Sequence, residues 1–114
     1  MHEVGTVLYV IRTVEDICGE NNLTEVIGVT LEVGEVSGIL PDYLKDFWQW
    51  AIRQTEHLKQ AKLKIETIGA VTLCEACHSE YPTVTYGKIC PHCCSDRTYL
   101  LKGNEYNIKE IEAR

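Results

Sequence analysis

The most explicit chemistry in the chain sits in two cysteine pairs, Cys74-Glu-Ala-Cys77 and Cys90-Pro-His-Cys93, separated by twelve residues. At that spacing two tight turns each present two sulfurs to one ion. Tetrahedral zinc suits the arrangement, because Zn(II) has no d-electron preference for another geometry and accepts four thiolates. A closed shell of four sulfurs leaves no position for a substrate, so the expected role is structural. Iron is also compatible with four thiolates. A redox pair or disulfides are the metal-free readings, and neither accounts for two such pairs.

Cys94 directly follows Cys93 and stands where such turns often carry glycine. It is read as an unliganded thiol, with exchange for Cys93 as the competing reading. His78 and His92 lie beside or inside the turns and are read as exposed turn residues, since four thiolates already fill a tetrahedral shell. Cys18 falls on an apolar helix face and reads as a small buried hydrophobe. His57, near the end of the second helix, reads as a surface residue at the negative end of that helix's dipole.

The second constellation is Met1-His2-Glu3. The α-amine, the amide nitrogen of His2 and its imidazole Nδ1 form fused five- and six-membered chelate rings, and a fourth ligand completes a plane. Planar nitrogen-rich coordination suits Ni(II) or Cu(II). Taken alone this is a weak signal, because a histidine after an initiator methionine is not rare.

The bulk numbers bound the possibilities. With 114 residues the chain has room for one main domain and a small appendage. Eleven Lys plus Arg against seventeen Asp plus Glu give a formal charge of −6, which repels nucleic-acid phosphates and anionic lipid headgroups. No apolar run reaches the roughly 18 residues of a membrane helix, and no signal peptide is visible. A cytoplasmic protein without membrane or nucleic-acid partners is expected. In a reducing compartment six cysteines point to metal ligation more than to disulfides.

The metal motifs need elements to hold them. Val4, Val7, Leu8, Ile11, Val14 and Cys18 recur at three- and four-residue steps, which predicts an amphipathic helix from Glu3 to about Gly19. Between Thr24 and Val36 the period changes to two, with Ile27, Val29, Leu31 and Val33 on one parity, as in a half-buried strand. Pro41-Asp42 opens a second helix whose apolar stripe is Leu44, Phe47, Trp48, Ala51 and Ile52. Leu63 and Ile65 begin a strand running toward Leu73, and Tyr106 with Ile108 begin another. The expected fold is α+β: a small three-stranded sheet with two helices on one face, plus an inserted zinc-ribbon-like module with four cysteines. The domain division is 1–73 with 104–114 as an α/β domain, and 74–103 as the zinc-binding module.

Four blocks occur in order: Met1-His2-Glu3, Val29-Thr-Leu-Glu-Val-Gly-Glu-Val-Ser37, the cysteine pairs, and Gly103-Asn-Glu-Tyr-Asn-Ile-Lys-Glu-Ile-Glu112. In this combination the chain resembles the HypA/HybF family of hydrogenase nickel-incorporation proteins over nearly its whole length. The resemblance implies a nickel metallochaperone and not an enzyme. Met1 through its amine, His2 and Glu3 would hold Ni(II) as cargo, while Cys74, Cys77, Cys90 and Cys93 hold structural zinc. Glu3 would act through its backbone amide or its carboxylate, or as an acid favouring a helix start, and Asp42 would supply a carboxylate behind the nickel ligands. The implied partners are a GTPase, HypB, and the large subunit of a [NiFe]-hydrogenase. The chain itself is expected as monomer or homodimer. The alternative is a zinc-ribbon module binding protein or nucleic acid. From Cys74 to Gly103, Lys88, Arg97 and Lys102 only balance Glu75, Glu80 and Asp96, and a zinc tetrathiolate adds about −2, which argues against phosphate binding.

Overall fold

The computed structural model describes residues 2–114, and side chains from Glu3 onward. The element order is α1 (His2–Asn21), β1 (Val26–Gly34), α2 (Pro41–Ala51) with a 3-10 turn (Ile52–Gln54), β2 (Lys62–Ile68), β3 (Val71–Cys74), β4 (Glu80–Pro82), a helical turn α3 (Thr83–Tyr86), β5 (Thr98–Lys102) and β6 (Tyr106–Ala113). Two three-stranded sheets form, ordered β2-β1-β6 and β4-β3-β5. The chain divides into two compact units. One comprises the chain as far as Glu32, Ile39–Glu66 and Asn107–Arg114, and the other Val33–Gly38 and Thr67–Tyr106.

In the first unit α1 buries Val7, Val10, Val14 and Cys18, a stripe repeating at three- and four-residue steps. Leu8 departs from the expected stripe: it is 49 % exposed, while Val10 is buried. One position along a helix turns the side chain by about 100°, so Leu8 lies on the flank of a stripe centred on Val7 and Val14. The helix stops at a Schellman turn, in which the Leu23 amide donates to the Cys18 carbonyl at 3.0 Å and Asn22 adopts φ 54. Asparagine tolerates that left-handed backbone better than most residues.

Helix α2 starts with Pro41 in its first turn and buries Leu44, Trp48 and Ala51, with Ile52 buried just beyond, while Phe47 is half-buried. Trp48 is the largest fully buried side chain, and its indole Nε1–H donates to the Ala61 carbonyl at 3.1 Å, so burial leaves no orphaned donor. Strand β1 turns Val29 and Leu31 inward, whereas Gly28 and Thr30 line an open hollow with Lys62, Lys64, Glu110 and Glu112. The sheet is therefore apolar on one face only. The alternation slips at its start: Val26 is fully buried and Ile27 half-buried, because the strand begins where the Val26 amide is tied to the His57 carbonyl at 2.9 Å.

The strand expected to run from Leu63 to Leu73 is two strands, β2 and β3, in different sheets. The break falls at Gly69-Ala70, where the Ala70 amide donates to the Glu35 carboxylate at 2.9 Å. Ala70 is buried in the second unit, and a Cβ added at Gly103, which has φ 119, would meet it at 2.5 Å. A Cβ added at Gly34 would overlap the Gly103 carbonyl. The Val36 amide donates to that carbonyl at 2.7 Å, so backbone packs on backbone here with no room for side chains.

The second unit contains a sheet that the alternation of residues along the chain does not reveal. β3 pairs antiparallel with both β4 and β5, joining Thr72 to Tyr81 and Leu73 to Tyr99. Its buried cluster is small: Cys74, Tyr81 and Cys90.

Candidate metal centre

Two turns of the same construction hold the cysteines. In the first, the Cys74 amide donates to the Ser79 carbonyl at 2.9 Å and the His78 amide to the Cys74 carbonyl at 2.8 Å. In the second, the Cys90 amide donates to the Ser95 carbonyl at 3.0 Å and the Cys94 amide to the Cys90 carbonyl at 2.9 Å. The residue four positions after each first cysteine takes a left-handed backbone, φ 62 at His78 and φ 61 at Cys94. Strand β3 delivers Cys74 to the first turn, and the Glu75 amide, donating to the Arg97 carbonyl at 2.8 Å, ties the base of that turn to the segment entering β5.

The sulfurs of Cys74, Cys77, Cys90 and Cys93 all lie within 4.8 Å of one another. Cys74 and Cys93 are 3.5 Å apart and Cys77 and Cys90 3.6 Å. A tetrahedral ion with metal–sulfur bonds of about 2.3 Å sets its sulfurs about 3.8 Å apart, so the donor set fits with small adjustment. Cys74 and Cys90 are fully buried, whereas Cys77 and Cys93 are exposed. Cys94 is exposed and outside the cluster, and so are the imidazoles of His78 and His92.

Proton chemistry at the two exposed thiols, Cys77 and Cys93, shows what an ion would contribute. Cys77 is lowered to about 6 by hydrogen bonding to Ser79, first from its hydroxyl and then from its amide, with smaller help from Cys90 and Cys93. For Cys93 the amide of Ser95 acts in the same direction. The neighbouring thiols Cys74, Cys77 and Cys90, together with burial, outweigh it and push Cys93 up to about 12. Four sulfurs this close cannot all ionise without a cation between them. A divalent ion supplies that charge and becomes the link between two turns that otherwise share a three-residue buried cluster.

At the other end of the chain, Met1 and the side chain of His2 lie outside the described residues. The backbone of His2 opens α1. The Glu3 carboxylate accepts a hydrogen bond from the Leu40 amide at 3.0 Å, and Leu40 is the N-cap residue of α2. Glu3 stands in the first turn of α1, as expected of an acid at a helix start, and its carboxylate also serves the start of α2, where amide donors have no intrahelical acceptor. Asp42 stands in the first turn of the same helix, two residues from that amide.

His57 is not the surface residue expected from its place in the chain. Its side chain is 18 % exposed and its Nδ1 lies 2.9 Å from a Glu15 carboxylate oxygen, while the other oxygen accepts the His57 backbone N–H at 2.8 Å. With Glu56 these residues form the second group of potential ligands among the described residues. Nothing local in the sequence signals this pairing, since Glu15 and His57 are 42 residues apart.

Among the described residues no helix is long and apolar enough to cross a membrane. Comparison with known proteins places the chain. The profile of the family described as "Hydrogenase/urease nickel incorporation, metallochaperone, hypA" matches residues 1–113. A hydrogenase maturation factor HypA of Geotalea uraniireducens is 33 % identical over 113 residues, covering 98 % of each chain. One from Chlorobaculum parvum is 32 % identical over 111 residues, covering 97 % of each. The solution structure of the Ni metallochaperone HypA from Helicobacter pylori superposes with a TM-score of 0.71 over 97 % of this chain and 96 % of that one; at 20 % identity this likeness concerns the fold. The four-cysteine centre, the mixed α/β architecture and a profile match running from the first residue almost to the last identify the chain as a member of the HypA family of nickel-incorporation metallochaperones that serve hydrogenase maturation.

Proposed function

We propose that the chain carries Ni(II) at its N-terminus, held by the Met1 amine, the amide nitrogen and imidazole of His2, and Glu3, and helps insert it into the large subunit of a [NiFe]-hydrogenase. The observation that carries this reading is the start of α1 at His2. Amides in the first turn of a helix have no carbonyl partner, so coordination through the His2 nitrogen breaks no helical hydrogen bond. The donors form a chelate at the start of a helical stem, which suits an ion that must be passed on. The Glu3–Leu40 hydrogen bond links the terminus to the start of α2, and this supports Asp42 as a carboxylate standing behind the ligands.

Zinc is the ion we assign to Cys74, Cys77, Cys90 and Cys93, where it supplies cross-linking and charge neutralisation and no open coordination position. The first unit then handles nickel, and residues 74–103, within the second unit, form the zinc module. Release in the cytoplasm proceeds with the GTPase HypB as partner. A hollow of about 330 Å³ lined by Val4, Tyr43, Phe47 and Trp50, together with Glu3 and Asp46, lies at the terminal end of α1. Tyr43 and Trp50 are each more than half exposed, which supports a protein contact beside the donor group.

The test is complementation in a host whose own copy has been deleted. Wild type restores [NiFe]-hydrogenase activity, and His2→Ala, expressed to the same level with the same zinc content, does not. Full restoration by His2→Ala would remove the terminal histidine from the delivery step.

A further inference from the structure

Three potential ligands converge away from both the cysteines and the terminus. Nδ1 of His57, from the loop after the 3-10 turn, and one oxygen of Glu15, from the middle of α1, stand 2.9 Å apart, and Glu15, Glu56 and His57 each offer one ligand atom within 4.8 Å of the others. Among the described interactions Glu56 hydrogen-bonds to neither.

The spacing suits an ion as well as a proton. Divalent metals bind imidazole nitrogen and carboxylate oxygen at about 2.1 Å, so two donors at right angles around one ion stand about 3.0 Å apart. His57 Nδ1 and Glu15 Oε2 already hold that distance, and the proton between them is what an incoming ion would replace. Glu15 is fixed for the purpose, because its other oxygen is held by the His57 backbone N–H at 2.8 Å. His57 is fixed in turn through its carbonyl, which accepts the Val26 amide at 2.9 Å. Such anchoring of ligands by neighbouring hydrogen bonds is the usual companion of metal binding.

Access is also present. A hollow of about 310 Å³ lined by Thr24, Glu25, Glu56, His57, Lys59 and Gln60 opens beside the group and has room for waters that would complete the shell. Glu25 is paired with Arg114 at 3.3 Å and is therefore not counted as a ligand. Lys59 lines the same hollow and opposes cation binding, so the site holds its ion more weakly than three uncompensated donors would.

We propose that Glu15, Glu56 and His57 form a second divalent transition-metal site, independent of the N-terminal nickel reading and of the four cysteines. One imidazole with two carboxylates favours borderline ions of the Co(II), Ni(II) and Zn(II) class over Ca(II) or Mg(II). With three protein donors the site exchanges its ion readily.

The experiment uses the full zinc-loaded chain and Ni(II) alone as the probe. In a His2→Ala background, calorimetric titration is expected to show one equivalent of binding, weakened about tenfold or more by His57→Gln and severalfold by Glu56→Gln. In wild type, Ni(II) is expected to broaden the amide resonances of Glu56 and His57 at a stoichiometry beyond the first equivalent. Glu56 is exposed, so Glu56→Gln keeps the fold and its melting temperature is measured alongside to show it. Identical isotherms for His2→Ala with and without Glu56→Gln, or no binding by His2→Ala at all, overturn the proposal. Failure of the terminal site is read separately, from wild type against His2→Ala.

Discussion

His78 and Cys94 occupy equivalent places in the two metal turns: each follows its first cysteine by four residues, donates its amide to that cysteine's carbonyl, and takes a positive φ, 62 and 61. The position asks for a left-handed backbone and not for a ligand. A thiol there is a side chain where glycine would fit with less strain.

Replacing Cys94 by glycine is therefore expected to leave one zinc per chain and to change stability by less than about 1 kcal/mol, the relief of left-handed strain being offset by glycine's freedom in the unfolded chain. Cys93→Ser is expected to lose most of the zinc and to melt the second unit. Metal analysis of the purified variants together with thermal melts decides between them. Zinc loss in Cys94→Gly would make that thiol a ligand.

The Glu15–His57 pair predicts a pH dependence with a definite sign. The hydrogen bond that His57 donates to the Glu15 carboxylate is the main cause holding the His57 pKa above its ordinary value, against some desolvation. A raised pKa means that protonation favours the folded state. The contribution is complete below the unfolded value of about 6.5 and is lost as pH rises through the folded value. Denaturant titrations in metal-free buffer should therefore show stability falling from about pH 6 toward pH 8, and His57→Gln should flatten that slope. A slope unchanged in the variant would show that other groups carry it.

Glycines separate by what surrounds them. Gly34→Ala drives a methyl into the Gly103 carbonyl and should cost at least about 2 kcal/mol, because backbone cannot yield as a side chain can. Gly19→Ala, in α1 with open space around it, should instead stabilise by roughly 0.5–1 kcal/mol. Chemical denaturation of both variants tests the pair, and equal effects would contradict the close approach.

Much of this architecture was legible in the sequence where periodicity is strong. The stripe Leu44, Trp48, Ala51 and Ile52 and the parity of Val29, Leu31 and Val33 are buried as their spacing predicts. The cysteine pairs announced one centre and the structure brings their sulfurs together. What periodicity missed were features made by long-range backbone contacts. The split between β2 and β3 depends on Ala70 meeting Glu35 and Gly103, and the β4-β3-β5 sheet has strands too short to show an alternation. His57 was misjudged because its partner Glu15 comes from a different helix. Glu3 is the first-turn acid of its own helix that its position suggests, but its second role at the start of α2 was hidden, since nothing in the sequence tells that this start folds back to it.

The proposed nickel chelate at the N-terminus depends on a histidine at position two of the chain. Ni(II) titration of wild type, His2→Ala and a variant with one residue added before Met1, followed by absorption in the square-planar region, tests it directly. Both changes are expected to abolish tight planar binding while zinc content stays constant, because the chelate rings need the α-amine one residue from the histidine. Affinity in wild type should also weaken as pH falls below about 8 toward 5, as the amine and imidazole take up protons. Three superimposable curves would rule out nickel ligation by the terminal amine and His2.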